Sequence, residues 1–372
     1  MPRFSQAQKD THSRIQHLAG RGLRPEELAH QILHALLSLI PADEAVVFGI
    51  DPGSLLINRL LSVVGNEPSG TLFWIRHVYL AREPMPEFTF PGLMTRNIRV
   101  VSLRDRPDSC WGMPPTALSH MTSHQFRNAY HDVGTPAGGG MRAWFEVDGL
   151  KIAALQMVRS DADHPFQVSD WHFLHGLVPI IGRALALALI REEGLSNPGG
   201  DPSATGVLVL TPEGGITIQS PTSDKWLQVL TSQDRATLGG SGPSGLPIVV
   251  WSVIAGLRAT VSSGALHAAL RVPTQFGLLR VEASPAGDEG AIAVTFVPER
   301  PPAPPALPLS WQLTPQERRV LSLVASGKTN KQIAQLLVVS DNTIESHLRH
   351  AYEKLGVNSR TQYLARLFQE VY

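Results

Sequence analysis

Residues 313–360 read LTPQERRVLSLVASGKTNKQIAQLLVVSDNTIESHLRHAYEKLGVNSR, and the local signals agree on short helices joined by tight turns. Thr314-Pro315-Gln316-Glu317 is a capping box with proline at the first helical position, where its missing N–H costs nothing. Val320, Leu321 and Val324 then fall on one face, and Gly327 can take the left-handed conformation that ends the helix. Thr329 and Gln332 form a second box for a helix running to about Leu337, with Ile333, Ala334 and Leu337 inward. After the turn Val338-Val339-Ser340, a third helix spans about Asp341 to Leu355 and stops at Gly356. Ser359 and Gln362 offer a box for a fourth. Two short helices across a tight turn have helix-turn-helix geometry.

At 100° per residue, Ile344, Leu348, Ala351 and Leu355 of the third helix share one face, which must be buried. Asn342, Glu345, Ser346, Arg349 and Glu353 point the opposite way. Short polar groups beside one arginine suit a helix that reads base edges in the major groove. The whole chain is neutral, with 32 basic and 32 acidic side chains, yet residues 310–372 carry eight basic against five acidic. Positive charge gathers where phosphate contact would need it.

This stretch closely resembles the LuxR/FixJ-type DNA-binding domain. The matching elements are Leu313-Thr314-Pro315, Glu317, Val320-Leu321, Gly327, Asn330, Ile333-Ala334, Leu337, Ser340, Thr343-Ile344, His347, Lys354-Leu355-Gly356-Val357 and Arg360. The resemblance implies a four-helix domain whose third helix is the recognition helix and whose fourth often mediates dimerisation. Carried over residue by residue, it makes Glu345, Ser346 and Arg349 the base-readout positions. Asn330, Lys331, Thr343, His347 and Lys354 are expected to contact phosphate or support the turn, and Lys328, Asn342 and Arg360 complete the DNA-binding set. Glu345 departs from the pattern, since many relatives carry lysine there. Its carboxylate could accept from cytosine N4, or pair with Arg349 at i,i+4.

Upstream, residues 298–308 read PERPPAPPALP, six of the eleven being proline. Such a run favours extended backbone and reads as a semi-rigid spacer. A second Gly/Pro/Ser-rich break runs from Glu192 to Thr205. The expected organisation is a flexible N-terminus or short helix (1–20), an α+β domain (21–191), a linker (192–205), a second α+β domain (206–297), the Pro-rich linker (298–309) and the all-α helix-turn-helix domain (310–372).

In the first α+β block, Pro25, Glu26 and Glu27 open a helix. Strands are expected at Ala45–Ile50, Leu60–Val64, Phe73–Leu80 and Ile98–Leu103, then a hairpin turning at Asp148-Gly149, then a closing helix at Val168–Ile190. Its last part, WFEVDGLKIAALQMVRSDADHPFQVSDWHFLHGLVPIIGRAL, resembles a GAF-like sensor domain. The second block begins with GVLVLTPEGGITIQSP, continues through helices near Asp224–Leu230 and Pro247–Ala259, and ends in strands His267–Val272, Gly277–Ala283 and Ala291–Val297. It resembles a PAS-like domain. Both resemblances imply pockets, and neither names a ligand.

Composition excludes other classes. A lone cysteine, Cys110, allows no internal disulfide and no thiolate zinc cluster. The most apolar helical stretch, Leu177–Ile190, is interrupted by Arg183 and falls short of the roughly 20 residues a membrane span needs. The N-terminus is polar where a signal peptide would be apolar, so the chain reads as cytoplasmic. His120, His124 and His131, and the pair His172 and His175, have helical spacings but lack an identifiable third ligand, so they read as surface histidines. His131-Asp132 lacks the further His and Asp of a phosphohydrolase site. Cys110 reads as a packed thiol, and Trp74, Trp111, Trp144 and Trp171 as core or pocket aromatics. No catalytic residue, cofactor or metal is expected. The expected partners are a double-stranded DNA operator, a second copy of the chain, a small-molecule or protein signal, and RNA polymerase. The alternatives are a constitutive DNA-binding regulator whose front domains only assemble subunits, and a metal-dependent enzyme fused to a DNA-binding tail.

Overall fold

Two five-stranded antiparallel sheets and a separate helical domain make up the computed structural model of the chain. It describes residues 5–65, 90–104, 110–112, 139–147, 149–161, 163–193, 204–238, 246–261, 266–287, 290–299, 307, 311–325, 328–337 and 339–371. The expected strand at Phe73–Leu80, together with Trp74, His120, His124, His131, Asp132, Asp148 and Gly327, lies outside these residues.

The first domain opens with helices α1 (Gln6–Gly20) and α2 (Pro25–Leu37). Of the two readings of the first twenty residues, mobile or a short helix, residues 6–20 take the helix. Ser5 and Gln8 form a reciprocal capping box, and Ile15 and Leu18 bury into the domain core. The sheet comprises β1 (Glu44–Ile50), β2 (Ile57–Gly65), β3 (Val100–Leu103), β4 (Gly139–Val147) and β5 (Leu150–Arg159), in the order β2-β1-β5-β4-β3. A short helix, α3 (Phe90–Thr95), precedes β3. The hairpin between β4 and β5 turns at Gly149, whose φ of 86° a side chain would resist. The closing helix, α4 (Val168–Glu193), runs into the expected linker. Its Val168–Leu189 stretch is long and apolar enough to cross a membrane, but more than half of it is buried, with Leu174, Leu177, Ile181 and Leu185 in the core formed with α1, α2 and one sheet face. Arg59 of β2 ties α2 to α4 through Glu26 at 3.3 Å and Glu192 at 2.6 Å.

The second sheet repeats the strand order. Strands β6 (Gly206–Leu210), β7 (Ile216–Gln219), β8 (Ala268–Thr274), β9 (Gly277–Pro285) and β10 (Ile292–Glu299) run β7-β6-β10-β9-β8. Helices α5 (Pro221–Leu238) and α6 (Ile248–Val261) cover one face. Both helices also pack on β2 of the first domain. One apolar cluster therefore includes Phe48 and Leu60 from the first domain with Trp251, Leu257 and Val281 from the second. At the junction, Asn58 Nδ2 donates to the Arg271 carbonyl at 3.0 Å. A Cβ on Gly256 would come within 2.7 Å of Leu56 Cδ1, so the missing side chain lets α6 approach β2.

Ordered structure reaches into both ends of the Pro-rich stretch. Strand β10 includes Pro298 and Glu299, paired with Leu279 and Leu278. At the other end Leu307 is 4% exposed and belongs to the C-terminal core with Trp311, Val320, Ile333, Ile344 and Tyr363. An apolar side chain at the end of a proline run gains more from burial than from solvent.

Candidate nucleic-acid interface

The C-terminal core is enclosed by α7 (Pro315–Ala325), α8 (Asn330–Leu337), α9 (Asp341–Leu355) and α10 (Arg360–Val371). The first capping box forms as expected: Thr314 N donates to Glu317 Oε2 at 2.8 Å, and Glu317 N donates to Thr314 Oγ1 at 3.2 Å. The Thr329–Gln332 box is equally reciprocal. The fourth differs. Gln362 N donates to Ser359 Oγ at 3.2 Å, but the Gln362 side chain accepts from Asn358 N at 2.6 Å, one residue earlier than a capping box requires.

The turn before α9 is tightly specified. Val339 N donates to the Ala334 carbonyl at 3.0 Å, at the end of α8. Ser340 then caps α9, its hydroxyl accepting from Thr343 N at 3.2 Å and lying 2.8 Å from Thr343 Oγ1. Ile344, Leu348, Ala351 and Leu355 are buried against α7 and α8. Gly356 ends α9 at φ 62°, and its N–H donates to the Tyr352 and Glu353 carbonyls.

With one face anchored, α9 presents Asn342, Glu345 and Arg349 to solvent, with Ser346 and His347 half-exposed beside them. Asn330 and Lys328 are half-exposed at the start of α8, and Lys331 is exposed on its first turn. Among the described residues, Lys328, Lys331 and Arg349 form no ion pair, so their charges remain available to an anionic partner. Glu345 and Arg349, both exposed, do not pair with each other in the free chain.

Three side chains of the expected DNA-binding set, Thr343, Lys354 and Arg360, have partners within the domain, and for Thr343 this is the expected support of the turn. Lys354 Nζ lies 2.8 Å from Glu317 Oε2 on α7, and Glu317 is buried. Burial pushes the Glu317 carboxyl up, but the bonds from Lys354 and Thr314 outweigh it and hold the group below its usual range. Arg360 donates from one nitrogen to the Val324 carbonyl at 2.9 Å and the Lys328 carbonyl at 2.8 Å, closing the end of α7. Thr343 is spent on the cap. Sequence matching alone could not separate these roles, because a cation bonded to a partner on another helix looks the same in one dimension as a free one. Tyr363 acts similarly without having been singled out: its hydroxyl donates to the Leu321 carbonyl at 2.9 Å, and burial first, then Tyr352, pushes the phenol up.

The family model for bacterial regulatory proteins, luxR family, matches residues 311–367. Spore germination protein GerE of Bacillus subtilis is 40% identical over 57 residues, which are 15% of this chain and 77% of that protein. The chain belongs to the luxR family. Its membership rests on the C-terminal domain, a DNA-binding helix-turn-helix of the kind found in that family's transcription regulators. A protein of Mycobacterium tuberculosis named as an HTH-type transcriptional regulator is 54% identical over 50 residues, 13% of this luxR-family chain and 6% of its own length. The match thus covers only a small part of that longer relative. Among solved structures, Escherichia coli SdiA aligns over 98% of this chain and 96% of its own, at a TM-score of 0.33 and 13% identity, which assigns nothing to the front domains.

Other sequence candidates do not converge. Among the described residues no three His, Cys, Asp or Glu side chains are placed to hold a metal ion. His172 and His175 pack instead around Trp171, with ring centres 4.9 and 5.1 Å from it. Trp144 is fully buried and donates to the Ile98 carbonyl at 2.7 Å, and Trp171 donates to the Val100 carbonyl at 2.9 Å, whereas Trp111 is exposed. Cys110 is half-buried, its sulfur 3.5 Å from Arg104 N.

Proposed function

We propose that this chain is a sequence-specific transcription regulator of the cytoplasm that binds operator DNA as a homodimer through α9. The observation that carries this reading is the division of α9 into two faces. One is locked by four buried side chains; the other offers Asn342, Glu345, Ser346 and Arg349, flanked by the free cations of α8. Arg349 would read a base edge, with Glu345 and Ser346 beside it. Asn330, Lys331, Lys328 and His347 would meet phosphates, positioning the helix without reading sequence. Thr343, Lys354 and Arg360 would act indirectly, by holding α9 and the end of α7 in place. Two half-sites read together would supply affinity that one small domain lacks.

The front domains, GAF-like and PAS-like in this reading, would set how often the DNA-binding domain is free to pair. A small molecule or protein that favours one arrangement would shift operator affinity by its differential binding energy. RNA polymerase is the further partner through which such a regulator would act. The test is to enrich genomic fragments in vitro with the full chain and with residues 305–372, which include Leu307. One shared motif for both supports the reading. Failure of both to enrich any motif, at low salt and over a range of protein concentrations, would count against it.

A further inference from the structure

Helix α2 carries a second pair of histidines at i,i+4, His30 and His34, and here the side chains do converge. Their Nε2 atoms are 3.0 Å apart, with ring centres 4.4 Å apart and planes at 77°. A straight N–H···N bond of that length would separate the ring centres by about 5.3 Å. Two imidazoles sharing one metal at about 2.05 Å would bring them to roughly 4.7 Å. The observed separation is nearer the second value.

The other nitrogen of His30 is occupied. Nδ1 lies 3.2 Å from Ser62 Oγ on β2, and Ser62 is buried. A hydrogen bond there fixes the ring and leaves Nε2 as the ligating atom, the supporting arrangement usual for metal-bound histidine. His34 Nε2 is the atom 3.0 Å from it, and both rings are exposed to solvent.

We propose that His30 and His34 chelate a divalent transition-metal cation on the solvent face of α2, with water completing the coordination. Nitrogens 3.0 Å apart, each about 2.05 Å from the ion, subtend an angle of about 94°. That angle suits the adjacent positions of a tetragonal or octahedral ion such as Cu2+ or Ni2+ better than tetrahedral Zn2+. The pair is a two-ligand chelate, distinct from a closed structural site.

The test is calorimetric titration of the untagged full-length chain with Ni2+ and with Cu2+, alongside H30A, H34A and a control H172A/H175A. All four side chains are solvent-accessible, and circular dichroism checks that each variant folds. The expected result is one equivalent bound by the parent and the control, weakened at least about tenfold in each single variant because a chelate loses its second, intramolecular contact. Cu2+ bound to the parent should show coupling to two imidazole nitrogens by electron paramagnetic resonance, and to one in H34A. Absence of binding by the parent, or affinity equal to the parent's in H30A or in H34A, would overturn the proposal.

Discussion

The two front sheets share one strand order and differ in what covers them. In the first, β1 and β4 are buried along nearly their whole length, because α1, α2 and α4 take one face while the second domain closes on part of the other. In the second, β8, β9 and β10 alternate buried and half-exposed residues, because among the described residues only one face is covered. That open face carries a ladder of charges: Arg271 to Glu299 at 2.9 Å, Arg280 to Glu299 at 3.2 Å and to Glu282, and His267 to Glu282 at 3.7 Å. Topology alone therefore does not set a strand's chemistry. The second layer does, since period-two alternation appears only where one face meets water.

The sharpest challenge to this contrast is Phe48→Ala, which empties a fully buried position between the two domains. A loss of roughly 3–5 kcal/mol is expected by denaturant unfolding. A change below about 1 kcal/mol would mean that the second domain does not close on the first sheet.

The interdomain layer also contains Asp234, whose Oδ2 accepts from Ile248 N at 2.8 Å at the start of α6. Burial raises its pKa to about 7 despite that bond. An acid whose folded pKa is raised binds more protons folded than unfolded. Its contribution is therefore full at low pH and is lost as pH rises from about 4 to 7, by roughly 4 kcal/mol at most. Asp234→Asn should flatten that part of the stability–pH curve. An unchanged curve would show that the carboxyl is solvated.

The same distinction between covered and open faces extends to the C-terminal domain. Leu307→Ala should cost about 2–4 kcal/mol in the unfolding of that domain, although it lies in the proline run. On the open face, Arg349→Ala should cost roughly 1–3 kcal/mol of operator binding and relax preference at one base pair. Lys331→Ala should weaken all sequences alike and reduce the salt slope by about 1. The smallest effect is expected at the ladder: Arg280→Ala should change stability by no more than about 1 kcal/mol, less in high salt.

The helix-turn-helix was legible because its information is local. Thr314 with Glu317, Thr329 with Gln332, Ser340 and Gly356 each act within four residues, and the apolar spacing of α9 shows its buried face. The second domain's strands were also readable, since alternation survives where one face is open. In the first domain, doubly buried strands lose that alternation. The polar start of the chain left α1 undecided between helix and mobile segment, because few apolar side chains, chiefly Ile15 and Leu18, hold it to the core. Leu307 was masked by its proline neighbours.

By itself the sequence determined the helix boundaries of the C-terminal domain, the polar face of α9, the α+β character of the front domains and the family to which the chain belongs. These depend on caps, turns and periodicities that span a few residues. Only the tertiary structure decided that the two front domains share a core and that Lys354 and Arg360 are bonded inside the protein. It alone showed that His30 and His34 converge where His172 and His175 do not. Each of those depends on which side chain of a distant segment lies within about 3 Å, a distance that hydrogen bonding requires and that residue spacing does not encode.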